Sequence, residues 1–288
     1  MTAMPQADLD SDRDPAAPIA AAIQLSSVAD RDANLATAAQ LLRQAATAGA
    51  ALAVLPENFA FMGAKERDKL AIAEADGQGP IQEFLAATAR ELKLWIVAGT
   101  VPLAVPGDPG KVYAACLVYD AQGRRAARYD KIHLFDVEVP GGDRYRESAT
   151  IARGALDAVV VQTPVGRLGL SVCYDLRFPE LYRALAAQGA EVLCVPAAFT
   201  ARTGQAHWEP LLRARAIENQ CFLLAPGQHG THAGGRSTHG HSLILDPWGE
   251  ILAQQADGDG VVAAPLPRER LEQVRSSFPA LTHRRMGV

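Results

Sequence analysis

The chain has 288 residues, 49% apolar and 21% charged, with 28 Lys and Arg against 32 Asp and Glu for a formal charge of −4. That composition excludes global disorder, and a chain of this length buries enough surface to need no disulfide or metal staple. The faintly acidic balance gives no general basic footprint and argues against nucleic acid as a partner; no apolar run approaches the roughly 20 residues of a membrane span.

Residues 1–18 carry Asp8, Asp10, Asp12 and Asp14 and lack a basic start followed by an apolar stretch. They read as a disordered leader, not a secretory signal. The four cysteines show no C-x-x-C spacing, so the expectation is a cytoplasmic protein with reduced thiols. Residues 19–25 form a short apolar run, a first strand. Leu35, Ala38, Leu42 and Ala45 then recur on one helical face, with Asp30 or Asp32 to cap its start and Gly49 to end it. Residues 51–55 read as a second buried strand, stopped by Pro56-Glu57. A helix over 81–92 leads into a strand over 94–101.

The next stretch changes character. Residues 112–119 and 124–129 flank Asp120-Ala121-Gln122-Gly123 as a hairpin, and 159–162 and 168–172 flank Thr163-Pro164-Val165-Gly166 as a second. A helix over 179–188, a strand over 192–195, a helix over 206–219 and a strand over 222–225 follow. Strands over 242–245, 251–253 and 260–264 and a helix over 268–275 close the chain. Hairpins set among βα units predict a mixed sheet or a pair of packed sheets. With no linker and no repeat, residues 19–288 read as one domain.

Cys173 is the most informative residue. It ends the run Leu168-Gly169-Leu170-Ser171-Val172, with Pro179 just beyond in a helix-start context. A thiol at a strand end facing a helix N-terminus is expected to be stabilised as a thiolate, and the same N–H groups suit an oxyanion. Taken alone, a cysteine after an apolar strand is ordinarily a small core residue, as Cys116, Cys194 and Cys221 are expected to be. A thiol nucleophile also needs a base. His229, His232, His239 and His241 share a segment with Gly230, Gly234, Gly235 and Gly240, which reads as a mobile polar loop, with no metal expected. A carboxylate and an ammonium can replace histidine. Glu57 stands at a strand end like Cys173, Lys131 follows a hairpin arm, and Glu147 follows Arg144-Tyr145-Arg146. Each alone is ordinarily a solvated charge.

Three segments change that reading. Leu55-Pro56-Glu57-Asn58, Tyr129-Asp130-Lys131-Ile132-His133-Leu134-Phe135 and Gly169-Leu170-Ser171-Val172-Cys173-Tyr174-Asp175-Leu176-Arg177-Phe178-Pro179-Glu180 resemble the defining segments of the nitrilase-like carbon–nitrogen hydrolases. The resemblance covers roughly residues 20–285 and stops before any second domain, so the nucleotide hydrolase fused to some animal relatives is expected to be absent. It implies an α/β fold, a four-layer α-β-β-α sandwich with mixed sheets. It implies a catalytic Glu57, Lys131 and Cys173 with Glu147 as accessory glutamate, the Tyr174 backbone N–H at the oxyanion, and an amidase forming a Cys173 thioester without any cofactor. A small-molecule amide substrate and a homodimer or larger homo-oligomer are likewise implied. Arg177 and Arg202 are candidate cations for a substrate carboxylate. A nitrile hydrolase would use the same three residues and stays open. A serine hydrolase does not fit, because Gly169-Leu170-Ser171-Val172-Cys173 puts cysteine where a nucleophile elbow needs glycine. An inactive scaffold would have no use for all four of these residues.

Overall fold

The side-chain alternation of the first strand, Ile19–Gln24, assigns the layers. Ala20 and Ala22 face one buried apolar cluster while Ala21 and Ile23 face another, as a period of two requires of a strand buried on both sides. The computed structural model describes residues 17–139 and 144–286, so nearly all of the leader expected over residues 1–18 lies outside the described residues. The first strand is paired on both sides, next to the edge of a sheet ordered Gly260–Pro265, Ile19–Gln24, Ala50–Val54, Trp95–Val97, Asp108–Tyr119, Val101–Val105. Arg125–Asp130 and Ile151–Ala152 also pair with the long strand Asp108–Tyr119. A second sheet runs Val160–Thr163, Gly166–Leu170, Val192–Cys194, Phe222–Ala225, Ser242–Leu245, Ile251–Gln255. Both mix parallel and antiparallel pairs.

Helices α1 (Arg31–Thr47) and α2 (Pro80–Leu92) cover the first sheet, and α3 (Pro179–Ala187) and α4 (Ala201–Asn219) cover the second. The sheets face each other where Ile19–Gln24 packs on Phe222–Ala225 and Ser242–Leu245. The result is the expected α-β-β-α sandwich with mixed sheets. A final helix, α5 (Arg268–Ser277), follows the last strand. No helix among the described residues is long and apolar enough to cross a membrane.

Three local expectations need correction. The strand expected over 94–101 is interrupted: Trp95–Val97 and Val101–Val105 are separate. Gly99 sits between them at φ 56°, and a Cβ there would overlap the Pro56 carbonyl. The helix expected from 206 already starts at Ala201; Gly204, a poor helix former, hides its first turn in the sequence but is needed because a Cβ would strike the His239 ring. The segment read as a mobile loop is a hairpin, His229–Thr231 against Ser237–His239. Its histidines are dispersed to local partners. His229 contacts Asp257 and Asp259, His232 contacts the Ser27 carbonyl and Thr238, and His239 stacks on His241.

Candidate active site

Chain direction brings the candidate residues to one end of both sheets. Glu57 lies three residues beyond Ala50–Val54 and Lys131 immediately beyond Arg125–Asp130, both in the first sheet. Cys173 lies three residues beyond Gly166–Leu170 in the second. Glu147 opens a short 3-10 turn, Glu147–Ala149. Strand ends are where sheets of this kind collect their reactive groups.

The four side chains meet. Lys131 Nζ donates to Glu57 Oε1 at 2.8 Å and to Glu147 Oε1 and Oε2 at 2.9 and 3.0 Å. Lys131 is 2% exposed and Glu57 4%, so neither is the solvated charge that each resembles in isolation. Ions this deep persist only when paired and hydrogen-bonded. The backbone completes the pairing: Ala198 N donates to Glu57 Oε2 at 2.8 Å, and Phe135 N to Glu147 Oε2 at 2.6 Å. Gln228 Nε2 donates to the Glu57 carbonyl at 3.0 Å and fixes the segment itself.

Electrostatics follow from this packing. Burial alone would push the Glu57 carboxyl up, but the Lys131 ammonium outweighs it and, with help from the Cys173 thiol and Arg236, holds the group down at about 2. Burial likewise opposes the Lys131 charge, yet Glu147 and then Glu57 keep its pKa well above the usual lysine range. The Cys173 thiol goes the other way. Burial, and next to it the Glu57 carboxylate, push it well above an ordinary thiol. The thiolate expected from a strand end facing a helix N-terminus is therefore corrected. At rest the site holds a thiol beside an ionised carboxylate and an ammonium.

Cys173 begins a 3-10 turn, Cys173–Arg177, that leads into α3 at Pro179, and it adopts φ 48°. That left-handed conformation costs a non-glycine residue about 1–2 kcal/mol. Two anchors hold it: Cys173 N donates to the Pro196 carbonyl at 2.9 Å, and Val172 N donates to Asp175 Oδ2 at 2.8 Å. Asp175 is fully buried and also accepts from Tyr129 Oη at 2.6 Å and His133 N at 3.1 Å. The turn carrying the thiol is thus tied to the segment carrying Lys131. Tyr174 N lies at the start of the turn, where backbone N–H groups lack intrahelical partners.

Glu57, Lys131, Glu147 and Cys173 line one narrow cavity of about 30 Å³, whose wall includes Tyr174 and Phe135. The two arginines singled out from the sequence are not part of its lining. Arg177 lies over the Phe199 and Tyr174 rings, at 5.2 and 5.8 Å, and reaches His207. Arg202 is exposed in the first turn of α4. The lining cations besides Lys131 are Lys69 and Arg236, which sequence reading passed over. Arg236 stood in the Gly-rich segment read as a loop, and Lys69 in a stretch assigned no structure. Asp175 was also missed, although an acid two residues beyond the nucleophile is a local signal for holding its turn.

A buried Glu–Lys–Glu contact beside a cysteine matches the arrangement that the three sequence segments imply. The sequence profile described as carbon–nitrogen hydrolase matches residues 19–276. The chain belongs to the carbon–nitrogen hydrolase family. It is a hydrolase of carbon–nitrogen bonds, of the amidase type expected from its motifs. A deaminated glutathione amidase from Synechocystis is 48% identical over 267 residues, 92% of this chain and 97% of that protein. A solved structure of Saccharomyces cerevisiae Nit3, described as a member of branch 10 of the nitrilase superfamily, superposes with a TM-score of 0.83 at 30% identity, covering 93% of this chain and 97% of that one. The Caenorhabditis elegans NitFhit structure gives a TM-score of 0.87 at 37% identity, covering 93% of this carbon–nitrogen hydrolase and 65% of that longer chain.

Proposed function

We propose that the chain hydrolyses a small amide through a thioester on Cys173, with Glu57 as proton carrier and Lys131 as oxyanion partner. The observation that carries this is the Lys131 ammonium, buried between Glu57 and Glu147 beside the Cys173 thiol. Sγ attacks the amide carbonyl as its proton passes to Glu57. The oxyanion is received by Lys131 and the Tyr174 N–H, each good donor being worth about 2.7–4 kcal/mol. The C–N bond then breaks, and Glu57 gives its proton to the departing nitrogen. Water attacks the thioester, its proton passing to Glu57, and the acid leaves as the thiol is restored. No metal or organic cofactor has a step in this cycle. A carboxyl held at about 2 is a weak base at rest. The attack supplies the remedy: as negative charge forms on the carbonyl oxygen, it draws on the Lys131 charge that kept Glu57 ionised, and Glu57 can retain the proton.

The proposed substrate is deaminated glutathione, cleaved to 2-oxoglutarate and cysteinylglycine. Its support is the name carried by the similar Synechocystis protein and by a Yersinia enterocolitica relative. The test is kcat/KM for deaminated glutathione against 2-oxoglutaramate and a nitrile, with mass spectrometry of Cys173 during turnover. A preference for deaminated glutathione and an acyl adduct on Cys173 are expected. Equal or reversed preference moves the protein to an omega-amidase reading, faster nitrile turnover to a nitrilase, and no turnover of any of them removes the substrate assignment.

A further inference from the structure

A second, larger cavity of about 340 Å³ adjoins the catalytic one, and Asn58, Glu66, Lys69, Tyr145 and Arg236 line both. Its charged lining is lopsided. Lys65, Lys69, Arg144, Arg146 and Arg236 stand against the single carboxylate of Glu66. That carboxylate is already shared, by Lys69 Nζ at 3.0 Å and Arg236 Nη1 at 3.3 Å. Lys65 and Arg144 are exposed and make no ion pair among the described residues. Arg236 Nε is buried without a hydrogen-bond partner, so its guanidinium is only partly satisfied. Uncompensated positive charge in a concave basin raises the local concentration of anions.

We infer that this basin holds the carboxylate of the departing amine, so that the enzyme selects amides whose leaving group is itself an acid. The inference rests on the amidase reading above and deepens it. Position sets the first constraint: the cavity at Cys173 receives the reacting carbonyl, and the basin beside it is the larger space for the rest of the substrate. The proton donor sets the second. The amine takes its proton from Glu57, and the basin is connected to that residue. Asn58, next in the chain, lines both cavities, and Arg236 donates to the carbonyl of Ala198, whose N–H donates to Glu57. The basin's cations are drawn from the segment after Phe61, the strand Arg144–Arg146 and the hairpin next to Arg236. A primary amide, releasing ammonia, would leave it unused.

Three amides with one common acyl group test this: a dipeptide amide with a free C-terminal carboxylate, the same dipeptide blocked as its C-terminal amide, and the primary amide. The wild-type kcat/KM is expected to favour the free carboxylate over the blocked form by about tenfold, the worth of one charge-assisted contact. In the double variant Lys65→Ala, Arg144→Ala that ratio should fall severalfold, with Lys69, Arg146 and Arg236 left to hold the remainder. Both removed side chains are exposed and make no ion pair among the described residues, so little else depends on them. A wild-type ratio near one, or a ratio unchanged in the variant, overturns the inference. Calorimetry of cysteinylglycine and its C-terminal amide on Cys173→Ala protein reads the basin without turnover. Tighter binding of the free acid, weakened without Lys65 and Arg144, supports the basin even if none of the three amides is hydrolysed, a result that would instead sink the amidase reading. Equal binding of acid and amide sinks the basin alone.

Discussion

Lys131 Nζ donates to three carboxylate oxygens, one of Glu57 and two of Glu147. Because two of the three belong to one carboxylate, a forming oxyanion can take over one of those bonds while the other still holds Glu147. A guanidinium cannot reproduce that. It is planar and larger, and its fork fits a carboxylate rather than a point on a tetrahedral centre. Lys131→Arg is expected to lose turnover although the charge is kept, and a near-native kcat would reduce the lysine to a source of field. Cys173→Ala should keep the fold, because alanine meets the same φ as cysteine, while activity falls below about a tenth, a loss of more than ~1.4 kcal/mol of barrier. Glu57 supplies the pH test. Its carboxyl is lowered in the folded state, so the stability it contributes is complete above the unfolded value near about 4.3 and is lost as pH falls toward the folded value of about 2. Urea midpoints measured down through that window should therefore fall more steeply for wild type than for Glu57→Gln. Parallel curves would mean that Lys131 does not hold the carboxyl down.

Backbone conformation carries the segments that bear these groups. Gly99, at φ 56°, lets the turn after Trp95–Val97 come against the Pro56 carbonyl, one residue before Glu57. Gly99→Ala introduces both a strained φ and a collision with backbone that has no rotamer to yield. A loss of at least about 2 kcal/mol is expected, read as a lower Tm together with reduced kcat, whereas an unchanged Tm would show that the turn relaxes freely. The same glycine explains why this stretch was misread. An apolar run from Leu94 to Val101 looks continuous, and only the approach of Pro56, distant in sequence, breaks it. Elements governed by their own residues were legible: Asp30 caps α1 by accepting from Ala33 N at 3.1 Å, and Pro179 stands first in α3. The strand ends carrying Glu57, Lys131 and Cys173 were legible for the same reason. Lys69 and Arg236 were not legible as part of the site. Lys69 pairs with Glu66 three residues back in its own 3-10 turn, and only the docking of that turn against a hairpin brings Arg236 to the same carboxylate. The expected low thiol pKa failed because the sequence does not tell how deeply Cys173 is buried or that an ionised carboxylate lies beside it.

Ile217, Trp248 and Phe278 are each at least half exposed and lie together: Trp248 meets Phe278 edge-on at 5.9 Å, and Ile217 packs over Gly249. Apolar side chains grouped this way on a surface mark an association face, and the homodimer or larger assembly implied by the family resemblance would use it. Sedimentation velocity at micromolar concentration should give at least a dimer, and Phe278→Glu should shift it toward monomer. A monomeric wild type would refute the assembly.

Neither sheet owns the reaction centre. Glu57 and Lys131 hang from one layer and Cys173 from the other, so the working distances are distances between two slabs. Catalysis is then a strain gauge for the seam between them, more sensitive than any signal from helices that ride on a single slab. Cys116 and Cys194 lie across that same seam, one in each sheet, and their thiols interact there. As denaturant is raised, the first slip of one layer over the other should stop turnover and open both thiols to alkylation at the same concentration, with the far-ultraviolet helix signal still intact. If these buried thiols stay closed after activity has gone, the gauge is reading a local loop and not the seam.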